Sequence, residues 1–259
     1  MVQRSVVCVE PTNPGQVLAC AGLLAVAERL WPGSEGCFSE DERQFVLESE
    51  GTIADAVRAV CKARLHAESA LESDGVVLVE GLGRPLRLGW WRRGSWDTRT
   101  GLKCWCGNMS ALGVASALQE QLRRLSRSLS DEEFADLFDL GGPLDKSSFY
   151  LDARRSDTML PLTCGFSTDA VGMDLVTYPA VDLLAWLGLE FVAPVCTAVD
   201  GVVVYEYATW RLPVSCALLP YAIIDGAQLR ETSWYRFEVR YLSTTQKKHR
   251  AVFTAVVVS

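Results

Sequence analysis

The chain has 259 residues, 49% of them apolar, enough for a sizeable hydrophobic core in one large domain or in two small ones sharing a core. No apolar run reaches the roughly 18 residues that span a bilayer, and Met1-Val-Gln-Arg-Ser lacks the apolar region of a secretory signal, so a cytoplasmic location is expected. A formal net charge of -7 excludes a protein that coats nucleic acid by bulk attraction, and any polyanion site has to be a local basic surface on an acidic body.

In chain order, Gln3 to Val9 is β-branched and predicts a strand. Asn13 as cap, Pro14 at the first helical position and Gln16 reaching back predict a helix from Pro14 to Leu30, stopped by Pro32-Gly33. A hairpin follows from Cys37 to Leu47, turned near Asp41. A second helix begins after Thr52 with Asp55 completing a capping box, and His66 falls near its end. Gly75 to Glu80 and Pro85 to Trp91 read as strands joined by a turn at Gly81 and Gly83.

A third helix spans Met109 to Leu129, and Ser130 with Glu133 caps a short acidic helix ending at Gly141-Gly142. Pro143 to Thr177 reads as loops with short strands, and Ala180 to Leu189 as an apolar helix. Val202 to Tyr207, Thr209 to Pro213, Trp234 to Leu242 and Arg250 to Val258 predict an antiparallel sheet with a polar turn at Ser243 to His249. The expectation is a single α+β domain over 1–259. Its helices pack on antiparallel sheet, with a helical and strand part at 1–140 and a β-rich part at 141–259.

The nine cysteines are an odd number without a framework spacing, and Cys8, Cys20 and Cys61 sit among apolar neighbours, as thiols do in a reducing compartment. Cys104-Trp-Cys106 is too tightly spaced for a zinc pair. Gly81-Leu-Gly83 lacks the remainder of a dinucleotide fingerprint, so neither metal nor cofactor is expected. Of the two histidines, His249 in Lys247-Lys248-His249-Arg250 could act as general base in a metal-independent ribonuclease; an exposed charged turn is the simpler reading.

The most unusual stretch is Leu86-Arg-Leu-Gly-Trp-Trp-Arg-Arg-Gly-Ser-Trp, followed by Thr100-Gly-Leu-Lys-Cys-Trp-Cys-Gly-Asn-Met-Ser110. Trp90, Trp91, Trp96 and Trp105 are interleaved with Arg87, Arg92, Arg93, Arg99 and Lys103. Guanidinium and ammonium groups neutralise phosphates while indoles stack on bases. The expected nucleic-acid contacts are Arg87, with Arg92, Arg93 and Lys103 as phosphate clamps, Trp91 and Trp105 as stacking or wedging groups, and Asn108 as a hydrogen-bonding reader. Secondary candidates are Arg123 and Arg124, with Arg127, on the third helix, and Lys247, Lys248 and Arg250 in the C-terminal turn. Gly107 to Ser110 opens that helix, where free backbone N–H groups can hold a phosphate.

The run Glu10-Pro-Thr-Asn-Pro-Gly-Gln-Val-Leu-Ala-Cys-Ala-Gly-Leu-Leu-Ala-Val-Ala-Glu-Arg-Leu-Trp31, with Leu88-Gly-Trp-Trp91 and Lys103-Cys-Trp-Cys-Gly-Asn-Met-Ser110, resembles the Csb-type large-subunit proteins of type I-U (I-G) CRISPR effector complexes. The family's second motif more often reads Lys-x-Trp-Ala-Gly-Gln, from which Cys106 and Asn108 depart. The resemblance implies a non-enzymatic subunit of an RNA-guided surveillance (Cascade) complex in antiviral defence, recognising the motif that flanks the target. Its partners would be guide RNA, target DNA, the backbone and repeat-processing subunits and a recruited helicase-nuclease, with no membrane. Two alternatives remain open at this point: a CRISPR repeat-RNA endonuclease, and a purely structural scaffold subunit.

Overall fold

A computed structural model of the chain describes residues 1–69, 75–92, 101–105, 109–143, 151–154, 176–199, 202–224, 232–241 and 250–258, with backbone alone at 198–199, 202, 241 and 250–251. The strands are β1 Gln3–Cys8, β2 Glu35–Phe38, β3 Gln44–Ser49, β4 Arg64–Ala67, β5 Val77–Glu80, β6 Leu86–Leu88, β7 Gly142–Pro143, β8 Val176–Thr177, β9 Val195–Val199, β10 Val202–Ala208, β11 Val214–Ser215, β12 Trp234–Tyr241, β13 Arg250–Val252 and β14 Val256–Val258. The α-helices are α1 Pro14–Leu30, α2 Ile53–Lys62, α3 Ala111–Ser126, α4 Pro179–Gly188 and α5 Leu219–Ile224. This is an α+β fold with a strand-rich C-terminal region, the class expected from the sequence. No described helix is long and apolar enough to cross a membrane.

Helix α1 begins as its local chemistry dictates. The Asn13 side chain accepts from the Gly15 N–H at 3.1 Å, Pro14 occupies the first turn, and the Gln16 side chain reaches back to accept from the Glu10 N–H at 2.6 Å. Every residue from Pro14 to Ala27 is buried, the mark of a helix enclosed on all sides. Its closest neighbour is α4. A methyl group at Gly22 would collide with the Leu184 carbonyl, and one at Gly188 with the Leu18 carbonyl, so the two backbones touch at a glycine-on-glycine crossing.

The described strands form four antiparallel assemblies. One sheet runs β1-β3-β2-β11, with Val6 opposite Val46 and Phe38 opposite Phe45. A second runs β12-β10-β9, with β13 and β14 pairing successive stretches of β12. The strands β4-β5-β6 form a third, and β7-β8 a small ribbon. Helix α2 carries the full capping box, Thr52 and Asp55 each accepting from the other's N–H, and its buried stripe of Ile53, Ala56, Val57 and Val60 faces the core.

The N- and C-terminal parts share one hydrophobic core. The Tyr207 hydroxyl donates to the Pro11 carbonyl at 2.6 Å, the Ala255 N–H to the Thr12 carbonyl at 2.7 Å, and the Trp210 indole to the Gly36 carbonyl at 2.9 Å. Glu42, in the β2–β3 turn with φ of +60°, buries its carboxylate to accept from Ser233 and Tyr235 at 2.6 Å and from Arg211 at 3.3 Å. A buried polar knot joins residues 151–154 to both central helices: Asn13 donates to Asp152 at 3.0 Å, and Asp182 accepts from the Leu151 N–H at 2.8 Å.

Three local expectations differ from the structure. Leu86–Leu88 is a strand, but Trp90–Arg92 is a 3-10 turn, because two successive buried indoles cannot share one face of a pleated strand. The second helix stops at Lys62, and His66 lies on β4 opposite Leu78, where pairing with β5 overrides the helical reading. Thr209 to Pro213 is irregular, the strand starting only at Val214, while the unanticipated β9 pairs with β10. Most of Pro143 to Thr177 lies outside the described residues.

Candidate nucleic-acid interface

In β6 the period of two buries Leu86 and Leu88 and exposes Arg87. After Gly89 the chain turns, and Trp90 and Trp91 both enter the core at 0% and 5% exposure, joined there by Trp105 at 2%. Trp90 packs edge-on against Trp91 and Trp105 with ring centres 5.5 and 5.6 Å apart, and Trp91 stacks on Trp186 of α4 at 5.2 Å. The Trp90 indole N–H donates to the Trp186 carbonyl at 2.9 Å. Each such ring pair contributes about 0.5–1.5 kcal/mol beyond its buried area. Trp91 and Trp105, expected to meet bases, are thus buried against other indoles, Trp91 face-on against Trp186 and Trp105 in edge contact with Trp90 and Trp91.

The backbone N–H groups of Gly89 and Trp90 both donate to one oxygen of Glu190, at 2.8 and 3.0 Å, a pair of converging amides filled by a carboxylate of the chain itself. A shallow groove of about 240 Å³ opens here, lined by Val76, Arg87, Gly89, Arg92 and Glu190. Arg87 and Arg92 are both exposed at its rim. Arg87 makes a two-pronged ion pair with Glu68 at 2.6 and 2.7 Å, and this pairing holds the Glu68 carboxyl below the usual carboxylate range. Lys103 is half-buried with its ammonium 5.3 Å from the centre of the Trp105 ring. The cations of this segment therefore ride on an aromatic base rather than alternating with exposed rings.

Arg93, Trp96, Arg99, Cys106, Asn108, Lys247, Lys248 and His249 lie outside the described residues, as does the side chain of Arg250, whose backbone opens β13 opposite Tyr241. At the start of α3, Ser110 caps the helix by accepting from the Gly113 N–H at 3.0 Å, so one amide proposed for phosphate is already satisfied. Arg123 donates to the Cys61 carbonyl at 2.8 and 3.0 Å and pairs with Glu120, which also receives Arg124 at 3.1 Å. Arg123 thereby closes the C-terminal carbonyls of α2, where a cation is favoured.

Catalytic groupings are sparse. His66 stands 4.0 Å from Glu80 at a half-exposed strand position, and among the described residues no three His, Cys, Asp or Glu side chains group as metal ligands. The buried thiols of Cys20 and Cys61 have pKa values raised by burial, which leaves them protonated and inert. Sequence reasoning passed over two contributors to this region, Trp186 and Glu190. Trp186 is in the last turn of α4, an apolar helix whose only visible signal was its hydrophobicity, and Glu190 is in the turn that follows it; their approach to Trp91 and Gly89 is set by the tertiary fold. No protein-family model, curated protein or solved structure matches the chain.

Proposed function

We propose that this chain is a non-catalytic, nucleic-acid-binding subunit of an RNA-guided antiviral surveillance complex of the type I-G kind. In that complex it would contribute to recognition beside the target and to assembly with guide RNA, target DNA and neighbouring subunits. The observation that carries the reading is the orientation of the Trp/Arg segment. Its described indoles are packed inward as a rigid base, and Arg87 and Arg92 are left exposed at the rim of one groove. A rigid mount lowers the ordering cost of a charged contact, and guanidinium groups bind phosphate without reading sequence. Guide pairing supplies sequence discrimination in such complexes, so a charge-based subunit is chemically sufficient.

The test is reconstitution with the operon's other proteins and a guide RNA, followed by target-duplex binding at about 50–200 mM salt. Arg87→Ala with Arg92→Ala should weaken binding across all targets and lower the log–log salt slope by about 2, roughly one for each phosphate no longer neutralised. An unchanged slope would remove direct contact at this rim. Burial of Trp90, Trp91 and Trp105 favours a second reading, a scaffold subunit whose tryptophans are purely core. That reading expects the double variant to assemble and bind target as the wild type does.

A further inference from the structure

The polar sides of α2 and α3 meet in a groove of about 370 Å³ to which no described residue of the Trp/Arg segment contributes. Arg58 and Lys62, one turn apart on α2, line it together with Arg123 and Arg127, one turn apart at the end of α3, and none of its described lining residues is acidic. Four cations around one cleft in a chain of net charge -7 is a local reversal of the molecule's field. We propose that this groove is a phosphate-binding site for the backbone of a nucleic-acid strand, separate from the Arg87/Arg92 rim.

The four cations are not equally engaged. Arg123 is committed to the Cys61 carbonyl and Glu120. Arg58 reaches out of the groove to Asp131 at 2.6 Å, with its guanidinium over the Phe134 ring, and Asp131 is 72% exposed, so this contact is exchangeable. Lys62 and Arg127 are exposed and have no counter-charge among the described residues. Two free cations, a third held by an exposed carboxylate, and the Ser126 hydroxyl at the wall make an anion site whose internal competitor is Asp131.

The same lining identifies the anion's class. Among the described residues, Cys61 and Leu129 are the apolar side chains of the cleft and no aromatic ring lines it, so none of them offers a stacking surface for a base or a nucleoside. Recognition by exposed charge alone is weak for one phosphate and grows with repeated phosphates on one strand. The groove therefore suits a phosphodiester chain rather than a single nucleotide. The claim rests on the proposed function only for the identity of this polyanion, and it uses different residues.

The full-length chain is titrated against a fluorescent thirty-nucleotide oligothymidylate and against poly-glutamate of equal length, across a salt series. Lys62→Gln with Arg127→Gln should weaken oligonucleotide binding severalfold and reduce the salt slope by about 1.4, which is about 0.7 for each of two single-strand phosphates no longer neutralised. Asp131→Asn, which releases Arg58, should strengthen it. All these positions are solvent-accessible, and an unchanged thermal midpoint establishes that each variant is folded. Unchanged affinity and slope in the folded Gln/Gln variant would overturn the site, as would poly-glutamate that binds equally well and competes, which would mark a docking cleft for acidic protein. Arg87→Ala with Arg92→Ala, run in parallel, separates the outcomes. If only that pair alters binding, the groove fails and the rim stands; if only the Gln/Gln pair does, the groove stands and the rim fails.

Discussion

Glu120 shows how charge is divided at single positions. Its carboxylate serves Arg124 first and Arg123 second, and these bonds hold its pKa below the ordinary carboxylate value. A carboxyl with a depressed folded-state pKa stabilises the fold above the unfolded value of about 4.3, and that contribution is lost as pH falls through the folded pKa. Glu120→Gln should therefore lower the melting temperature slightly near neutral pH, and the gap should close on acidification to about pH 3. A gap constant with pH, measured by circular dichroism melts, would remove the ion pairs as its cause. At this scale the sequence announced which residues were charged, but not their partners. Arg87 and Glu68 are 19 positions apart, and Arg58 and Asp131 are 73 apart; only the fold brings either pair together. The alternation of Trp and Arg was equally legible, yet it fits stacking on bases and packing in a core alike. A turn at Trp90–Arg92 decides between these by aiming both neighbouring indoles inward.

Elements with local start and stop chemistry were the most legible. The bounds of α1 follow from Asn13, Pro14 and Pro32-Gly33, and the start of α2 from its Thr52/Asp55 box, because caps act within one helical turn. Strands β4 and β9 were missed because four- and five-residue strands owe their existence to partners elsewhere in the chain, β5 and β10. The α1–α4 crossing provides a test in which propensity and packing oppose each other. Alanine is favoured over glycine inside a helix by about 1 kcal/mol, whereas a methyl forced against a carbonyl costs about 1–3 kcal/mol or more. Since the obstruction at Gly22 is the Leu184 backbone, packing should win. Gly22→Ala is expected to reduce stability by about 2 kcal/mol in urea unfolding, and a stabilised variant would mean that the helices are not in backbone contact.

Over the whole molecule, the division into 1–140 and 141–259 read from composition does not correspond to a division of the core. The face of α1 is completed by α4, the β2–β3 turn is held by Arg211, Ser233 and Tyr235, and Pro11 and Thr12 are bonded by Tyr207 and Ala255. A fragment of residues 1–140 expressed alone should show no cooperative thermal transition, and a sharp one would establish an independent N-terminal unit. The enclosed character of α1 bears also on how the protein is made. With no polar side, this helix emerges from the ribosome well before the segment that shields it, since some 150 residues separate Leu24 from Pro179. At a synthesis rate of about 5–20 residues per second its apolar surface stays uncovered for roughly ten seconds or more. During that interval the nascent chain exposes the kind of surface that holding chaperones cover, so the yield of folded protein should respond to chaperone supply as well as to the stability of the finished core.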